Sequence, residues 1–128
     1  GNMIAYQQNT DLDLYTNVMP RSYPPGASCE VVKVAAMRRL AVAARTAEER
    51  EHVTLYFYRH PEQFHIENIE ASSDRYQGVR LAVDTAADLA RADWIAGCLE
   101  GRLVAATLDE ISCLAKVWDR NDCSEQRP

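Results

Sequence analysis

VRLAVDTAADL, residues 79–89, holds the strand-to-helix transition on which the fold class turns. Val79, Leu81 and Val83 alternate with Arg80 and Ala82, the period of a half-buried strand. Asp84 follows, and Thr85 then opens a helical pattern with Asp88 at its third position, a capping box that does not need Asp84. The stretch predicts a strand over 79–83 and a helix over 86–99. Between them stands a carboxylate where open α/β sheets collect ligands, at a strand's carboxyl end beside a helix N-terminus. Such a carboxylate can hold a hard cation such as Mg2+, which in turn holds phosphates. It can equally serve as an extra helix cap, and the residues leave the two readings level.

Upstream, FHIENIEA (64–71) alternates like a strand with Phe64, Ile66 and Ile69 inward, and SSDRYQG (72–78) is a loop. Thr46 and Glu49 form a capping box that starts one helix over 46–60, stopped by Pro61. SCEVVKV (28–34) and DLYTN (13–17) read as strands, and residues 35–45 as a helix with Met37, Leu40, Ala41 and Ala44 on its apolar stripe. PRSYPPG (20–26) is a stiff loop, and residues 3–10 read as the end of a helix. Downstream, Gly101 ends the 86–99 helix. Thr107 and Glu110 cap a last helix over 107–119, whose stripe is Leu108, Ile111, Ala115 and Trp118. Strands interleaved with helices make the chain α/β with about four strands, few for a free-standing doubly wound sheet. The organisation expected is an N-terminal segment (1–11), a single α/β domain (12–119) and a polar tail (120–128). Gly1-Asn2, ahead of Met3, reads as an expression remnant.

The 128 residues suffice for one domain with a real core, and 47% hydrophobic with 26% charged residues is an ordinary globular composition. A formal charge of −5 without a Lys/Arg cluster argues against nucleic-acid or anionic-membrane binding. No run of about 18 apolar residues is present and no signal-peptide pattern opens the chain, so the expectation is a cytoplasmic protein. Cys29, Cys98, Cys113 and Cys123 are far apart with no C-x-x-C pair, which predicts reduced thiols rather than a metal site.

Four further features have chemistry to offer. His52, Tyr56 and Arg59 share one face of the expected 46–60 helix, a surface suited to a sugar, a phosphate or, more commonly, solvent or a subunit interface. Arg21 in the proline loop can clamp a phosphate or carboxylate, or simply be solvated. Cys29 with a histidine has no hydrolase signature behind it and reads as an inert core thiol, while His60 and His65 look like surface residues. No nucleotide-cradling glycine motif occurs, and the five glycines never cluster.

Taken together, YTN (15–17), PRSYPPG with CEVV (20–32), EREHVTLYFYRHPEQFHIENI (49–69) and VRLAVDTAADL (79–89) resemble the C-terminal half of the spore-coat polysaccharide biosynthesis family of cytidylyltransferase-like proteins. That family is related to the CMP-ketodeoxyoctonate and CMP-sialic acid synthetases, and the blocks match in order and spacing from about residue 12 to 89. The resemblance implies a partial nucleotide-diphospho-sugar-transferase-like, Rossmann-like fold: a small sheet with helices, and without the N-terminal nucleotide-binding half.

By the same resemblance, Thr16-Asn17, Arg21, Gly26 and Glu30 fall in substrate-side blocks. Arg50, Glu51, His52 and Thr54 fall in the R-E-H-V-T block, and Asp84 is the aspartate that helps hold Mg2+. Three positions depart from the pattern. Ser28 replaces an aspartate, Ala87 replaces an acidic residue, and Leu55 replaces a proline, a change expected to lengthen the 46–60 helix. The implied chemistry, if the missing half is supplied, is nucleotidyl transfer from CTP to an acidic sugar in surface polysaccharide biosynthesis. Asp84 would share Mg2+, and Asn17, Arg21, Glu30, Arg50, Glu51 and His52 would line the sugar side or a subunit interface. This chain alone is expected to be inactive, because the triphosphate cradle is absent from it. The alternative is a stand-alone, non-catalytic remnant that binds a ligand or itself. A homodimer is expected either way, with exchange of strands or helices between chains as one route to it.

Overall fold

The computed structural model describes residues 3–8 and 10–125, with side chains described as far as Asn121. Gly1-Asn2 and the last three residues of the expected polar tail lie outside the described residues. The chain gathers into two compact units, one formed by 1–22 and 28–72, the other by 23–27 and 73–128.

The first unit is built on a three-stranded mixed sheet. Helix α1 (Met3–Gln8) leads to β1 (Leu14–Thr16), which pairs antiparallel with β2 (Glu30–Val32) and parallel with β3 (Ile66–Asn68). Because β1 is hydrogen-bonded on both edges and covered on both faces, all three of its residues are buried. Alternation sends Leu14 into a core with Ala36, Leu40, Ala44, Tyr56, Phe57 and Phe64, and Tyr15 to the opposite face, where its ring lies 4.9 Å from that of Tyr6. Helix α2 (Val34–Ala43) supplies Ala36 and Leu40, so its buried stripe is rotated from the expected one: Met37 is half-buried and Ala41 exposed. Phe57 is fully buried and meets Phe64 edge-on with centroids 4.5 Å apart. Burying a side chain of this kind contributes about 1.5–3 kcal/mol.

The single helix expected over 46–60 is two. Thr46 caps α3 (Ala47–Glu51) through the complete capping box with Glu49, and α4 (Leu55–Arg59) begins only after a break at His52–Thr54. Leu55 therefore does not let the helix run on. At the break the Leu55 N–H turns to the His52 carbonyl at 2.9 Å, a turn bond in place of a helical one. Tyr56 and Phe57 are both buried from α4, while Thr54 and Tyr58 reach the same Glu30 carboxylate. A 3-10 turn (Pro61–Gln63) follows α4, with Pro61 at its first position.

In the second unit, helices α5 (Ala86–Cys98) and α6 (Leu108–Glu125) pack through Ile95, Leu99, Ala115, Ile111 and Leu114, with Trp94 and Trp118 at 5.6 Å between ring centroids. Both expected capping boxes form, Thr85 with Asp88 and Thr107 with Glu110. Helix α6 outruns its expected end at 119 and continues to Glu125.

The strand expected over 79–83 is absent, leaving three strands among the described residues instead of four. The segment enters no ladder. Its Leu81 N–H donates to the Pro25 carbonyl at 2.6 Å, and only Val79 and Leu81 turn toward the α5–α6 core, Val83 remaining about half exposed. Gly26 makes this approach possible. It sits at φ +97°, and a Cβ there would lie 2.4 Å from the Ala82 nitrogen and the Leu81 carbonyl carbon.

Candidate functional site

In the first unit, the register of the sheet sets Glu30, Thr16 and Asn68 side by side, because Thr16 is paired with Glu30 on β2 and with Asn68 on β3. This row lies at the carboxyl ends of the parallel pair β1 and β3, where an α/β sheet presents polar side chains to ligands. The Tyr58 hydroxyl sits 2.9 Å from Thr16 Oγ1 and donates to Glu30 Oε1, while Thr54 Oγ1 donates to Glu30 Oε2 at 3.1 Å. Burial, and then the hydrogen bond to Glu30, push the Tyr58 phenol well above its ordinary pKa, against smaller opposite pulls from Thr16 and Arg21. The phenol is thus a permanent donor at neutral pH. The carboxylate it holds is exposed, with lone pairs left to accept from a ligand.

Arg21 and Asn17 flank this row through the loop that follows β1. Arg21 Nη1 donates to Ser28 Oγ at 2.8 Å, so a neutral hydroxyl holds the guanidinium, without a second charge. Asn17 is buried, and its Oδ1 accepts the Cys29 N–H at 2.8 Å. Asn68 accepts the Met19 N–H at 3.0 Å and donates to the Pro20 carbonyl at 3.1 Å, pinning the start of the proline loop. Asn17 and Asn68 are therefore loop-building residues, while Glu30 and Arg21 present charge. Cys29 is exposed just ahead of β2, which corrects its reading as a core thiol: the strand starts one residue later.

Arg50, Glu51 and His52 are all exposed where α3 ends, and none makes a side-chain hydrogen bond or ion pair among the described residues. The expected face of His52, Tyr56 and Arg59 does not exist, because the helix break separates His52 from the other two. Tyr56 is buried against His60 and Phe64, and Arg59 pairs with Glu48 at 2.7 Å. Tyr58 and Asn68 were not among the sequence-predicted site residues. Their signals are the one-turn spacing of Thr54 and Tyr58 and the polar end of an otherwise apolar strand.

Asp84 belongs to the second unit. Its carboxylate is exposed and paired with Arg80, and its N–H donates to Asp88 Oδ2 at 3.1 Å. Asp88 caps α5 together with Thr85. The Thr85 hydroxyl first, then the Asp84 and Thr85 amides, hold the Asp88 carboxyl below its ordinary pKa. The helix is capped without the Asp84 side chain. A Mg2+ ion needs more than this residue offers, since no group of three acidic, histidine or cysteine side chains able to hold a metal occurs among the described residues.

No helix among the described residues is long and apolar enough to cross a membrane. No family profile matches the sequence, and no curated protein does. Among solved structures, a cytidylyltransferase from Leptospira borgpetersenii serovar Hardjo-bovis (strain JB197) superposes with a TM-score of 0.73 at 19% identity, over 98% of this chain and 51% of that one. The chain spans about half the length of this neighbour. Its small mixed sheet with helices is an α/β, cytidylyltransferase-like fold.

Proposed function

We propose that this chain is the sugar-side portion of a cytidylyltransferase-like nucleotidyltransferase of surface polysaccharide biosynthesis, acting as a dimer with a nucleotide-binding portion supplied elsewhere. The observation that carries the reading is the row Glu30–Thr16–Asn68 at the ends of β1 and β3, with Tyr58, Thr54 and Arg21 gathered on it, in a fold shared with half of a cytidylyltransferase. The chemistry of that row suits an acidic sugar. Glu30, oriented by Tyr58 and Thr54, accepts from sugar hydroxyls, and Arg21 faces a carboxylate. Asp84 contributes one Mg2+ ligand, and the remaining ligands come from outside this chain. Mg2+ at such a site neutralises triphosphate charge.

Titrating N-acetylneuraminate and ketodeoxyoctonate into the chain tests the sugar-side reading. Millimolar or tighter binding of either, weakened about tenfold or more by Glu30→Gln and by Arg21→Ala, is the expected result. A folded chain that binds neither sugar, or mutants that bind as well as the parent, overturns it.

The Asp84–Arg80 pair favours a second reading, a non-catalytic self-associating domain in which that aspartate is only a surface ion pair. With the nucleotide-binding portion supplied, titration of CTP with Mg2+ into the completed parent and into its Asp84→Ala variant separates the two. Binding lost in the mutant supports the metal role, and binding unchanged by the mutation supports the second reading.

A further inference from the structure

The second unit carries a cleft of about 360 Å³ between the 3-10 turn Asp74–Tyr76 and the first half of α6, lined by Arg75, Tyr76, Asp109, Ser112, Cys113 and Lys116. Three observations about this cleft converge. Ser112 is 96% buried as the complement of its 4% exposure, and its hydroxyl has no hydrogen-bond partner, not even a carbonyl of its own helix. Buried hydroxyls are nearly always paired, so an orphan in the lining of a cleft marks a place for a partner from outside.

Charge is the second. Asp109 is spent on Arg75 at 2.6 Å and on the Tyr76 hydroxyl at 2.6 Å. Lys116 has only the neutral Arg75 carbonyl, at 2.7 Å, and no carboxylate among the described residues. Two cations against one anion leave the cleft one positive charge in excess. Third, this charge is prearranged. Asp109 and Ser73 hold the guanidinium by Nη1 and Nε, leaving Nη2 over, and the Tyr76 ring is stacked on Tyr23 at 5.5 Å.

We infer that this cleft binds a small organic monoanion, a carboxylate with an apolar body, whose charged end meets Lys116 and Arg75 and whose body lies along Tyr76 and Cys113 above Ser112. The volume falls at the small end of the range that ligand pockets occupy, about 300–1,000 Å³. A single carboxylate balances the excess charge, and its second oxygen can accept from the unpartnered serine after a rotation about the Ser112 Cα–Cβ bond. The cleft shares no residue with the Glu30 row, so the inference does not rest on the proposed function.

The test is a nuclear magnetic resonance titration of the whole chain with benzoate, with neutral benzamide as the matched control. Benzoate is expected to move the amide signals of 75–76 and 109–116 with a dissociation constant in the millimolar range or tighter, and benzamide to bind at least tenfold more weakly. Lys116→Gln, at an exposed position, should weaken benzoate about tenfold, and Ser112→Ala severalfold. Benzoate that leaves these signals unmoved at tens of millimolar overturns the inference, as do equal shifts from benzamide or undiminished binding by Lys116→Gln. Signals of these residues that move with protein concentration in the absence of benzoate overturn it too, because a second copy of the chain is then the occupant.

Discussion

Tyr58 and Glu30 are joined by a hydrogen bond that spans 28 positions of sequence and ties helix α4 to the first residue of β2. Replacing Tyr58 by Phe removes the donor to Glu30 and the neighbour of the fully buried Thr16 hydroxyl. The expected cost is about 1–3 kcal/mol, read as a lower urea midpoint with an unchanged m-value.

The same phenol makes a prediction in pH. Its pKa in the folded chain is raised above the ordinary value of 10.0 by burial and by Glu30, so the folded state holds that proton more tightly than the unfolded one. Its contribution to stability is complete below about pH 10 and is lost as pH rises toward the folded-state value. Urea midpoints of the parent and of Tyr58→Phe should converge above pH 10. Curves that stay parallel from pH 8 to 11 contradict this.

Asp88 gives the opposite sign. Its carboxyl is held below the ordinary value by the Thr85 hydroxyl and the two amides it caps, so its contribution is present above about pH 4 and lost as pH falls through the depressed value. Thr85→Ala should cost about 1 kcal/mol at neutral pH. It should also flatten the acid limb of the stability curve between pH 4 and 2.

Two glycines with similar backbone angles should respond very differently to alanine. Gly26 faces the backbone of Leu81 and Ala82, which cannot move aside like a side-chain tip, and Gly26→Ala should destabilise by roughly 2–4 kcal/mol. Gly78, at φ +75°, has open space around its would-be Cβ, so Gly78→Ala should cost only about 1 kcal/mol. Thermal unfolding of the two variants side by side measures the difference.

Asp84→Ala removes an exposed ion pair, and its effect on stability should stay below about 1 kcal/mol. Loss of CTP–Mg2+ binding in this variant can then be read without correction for unfolding.

Local chemistry was legible in the sequence wherever a few neighbouring residues decide the outcome. The capping boxes at Thr46, Thr85 and Thr107 all form, because the hydroxyl and its N3 partner lie within one turn of each other. Strands β1, β2 and β3 fall inside their expected stretches, and the α/β class with a small sheet follows from them. The strand that failed was decided at long range. Residues 79–83 alternate like a strand, but ladder hydrogen bonds need a neighbouring strand, and here the Pro25 carbonyl is what Leu81 meets. The helix over 46–60 breaks at a turn, Leu55 N–H to the His52 carbonyl, that no residue signal at 52–54 announces. The sequence-predicted site is split in the same way. Glu30, Arg21 and Asn17 come together around the ends of β1 and β2, whereas Arg50, Glu51 and His52 end an exposed helix and Asp84 is already paired with Arg80.

The short segment Tyr23–Ala27 lies within the sequence of the first unit, yet it folds as part of the second. Pro25 receives Leu81, Tyr23 stacks on Tyr76, and Gly26 admits the chain at Leu81–Ala82. Cutting the gene after residue 72 therefore does not release an autonomous C-terminal module. Such a fragment loses an aromatic contact, a backbone acceptor and the close backbone approach at Leu81–Ala82. Recombination and chimera building act on contiguous sequence, so a single crossover after residue 72 parts Tyr23–Ala27 from the unit in which they pack.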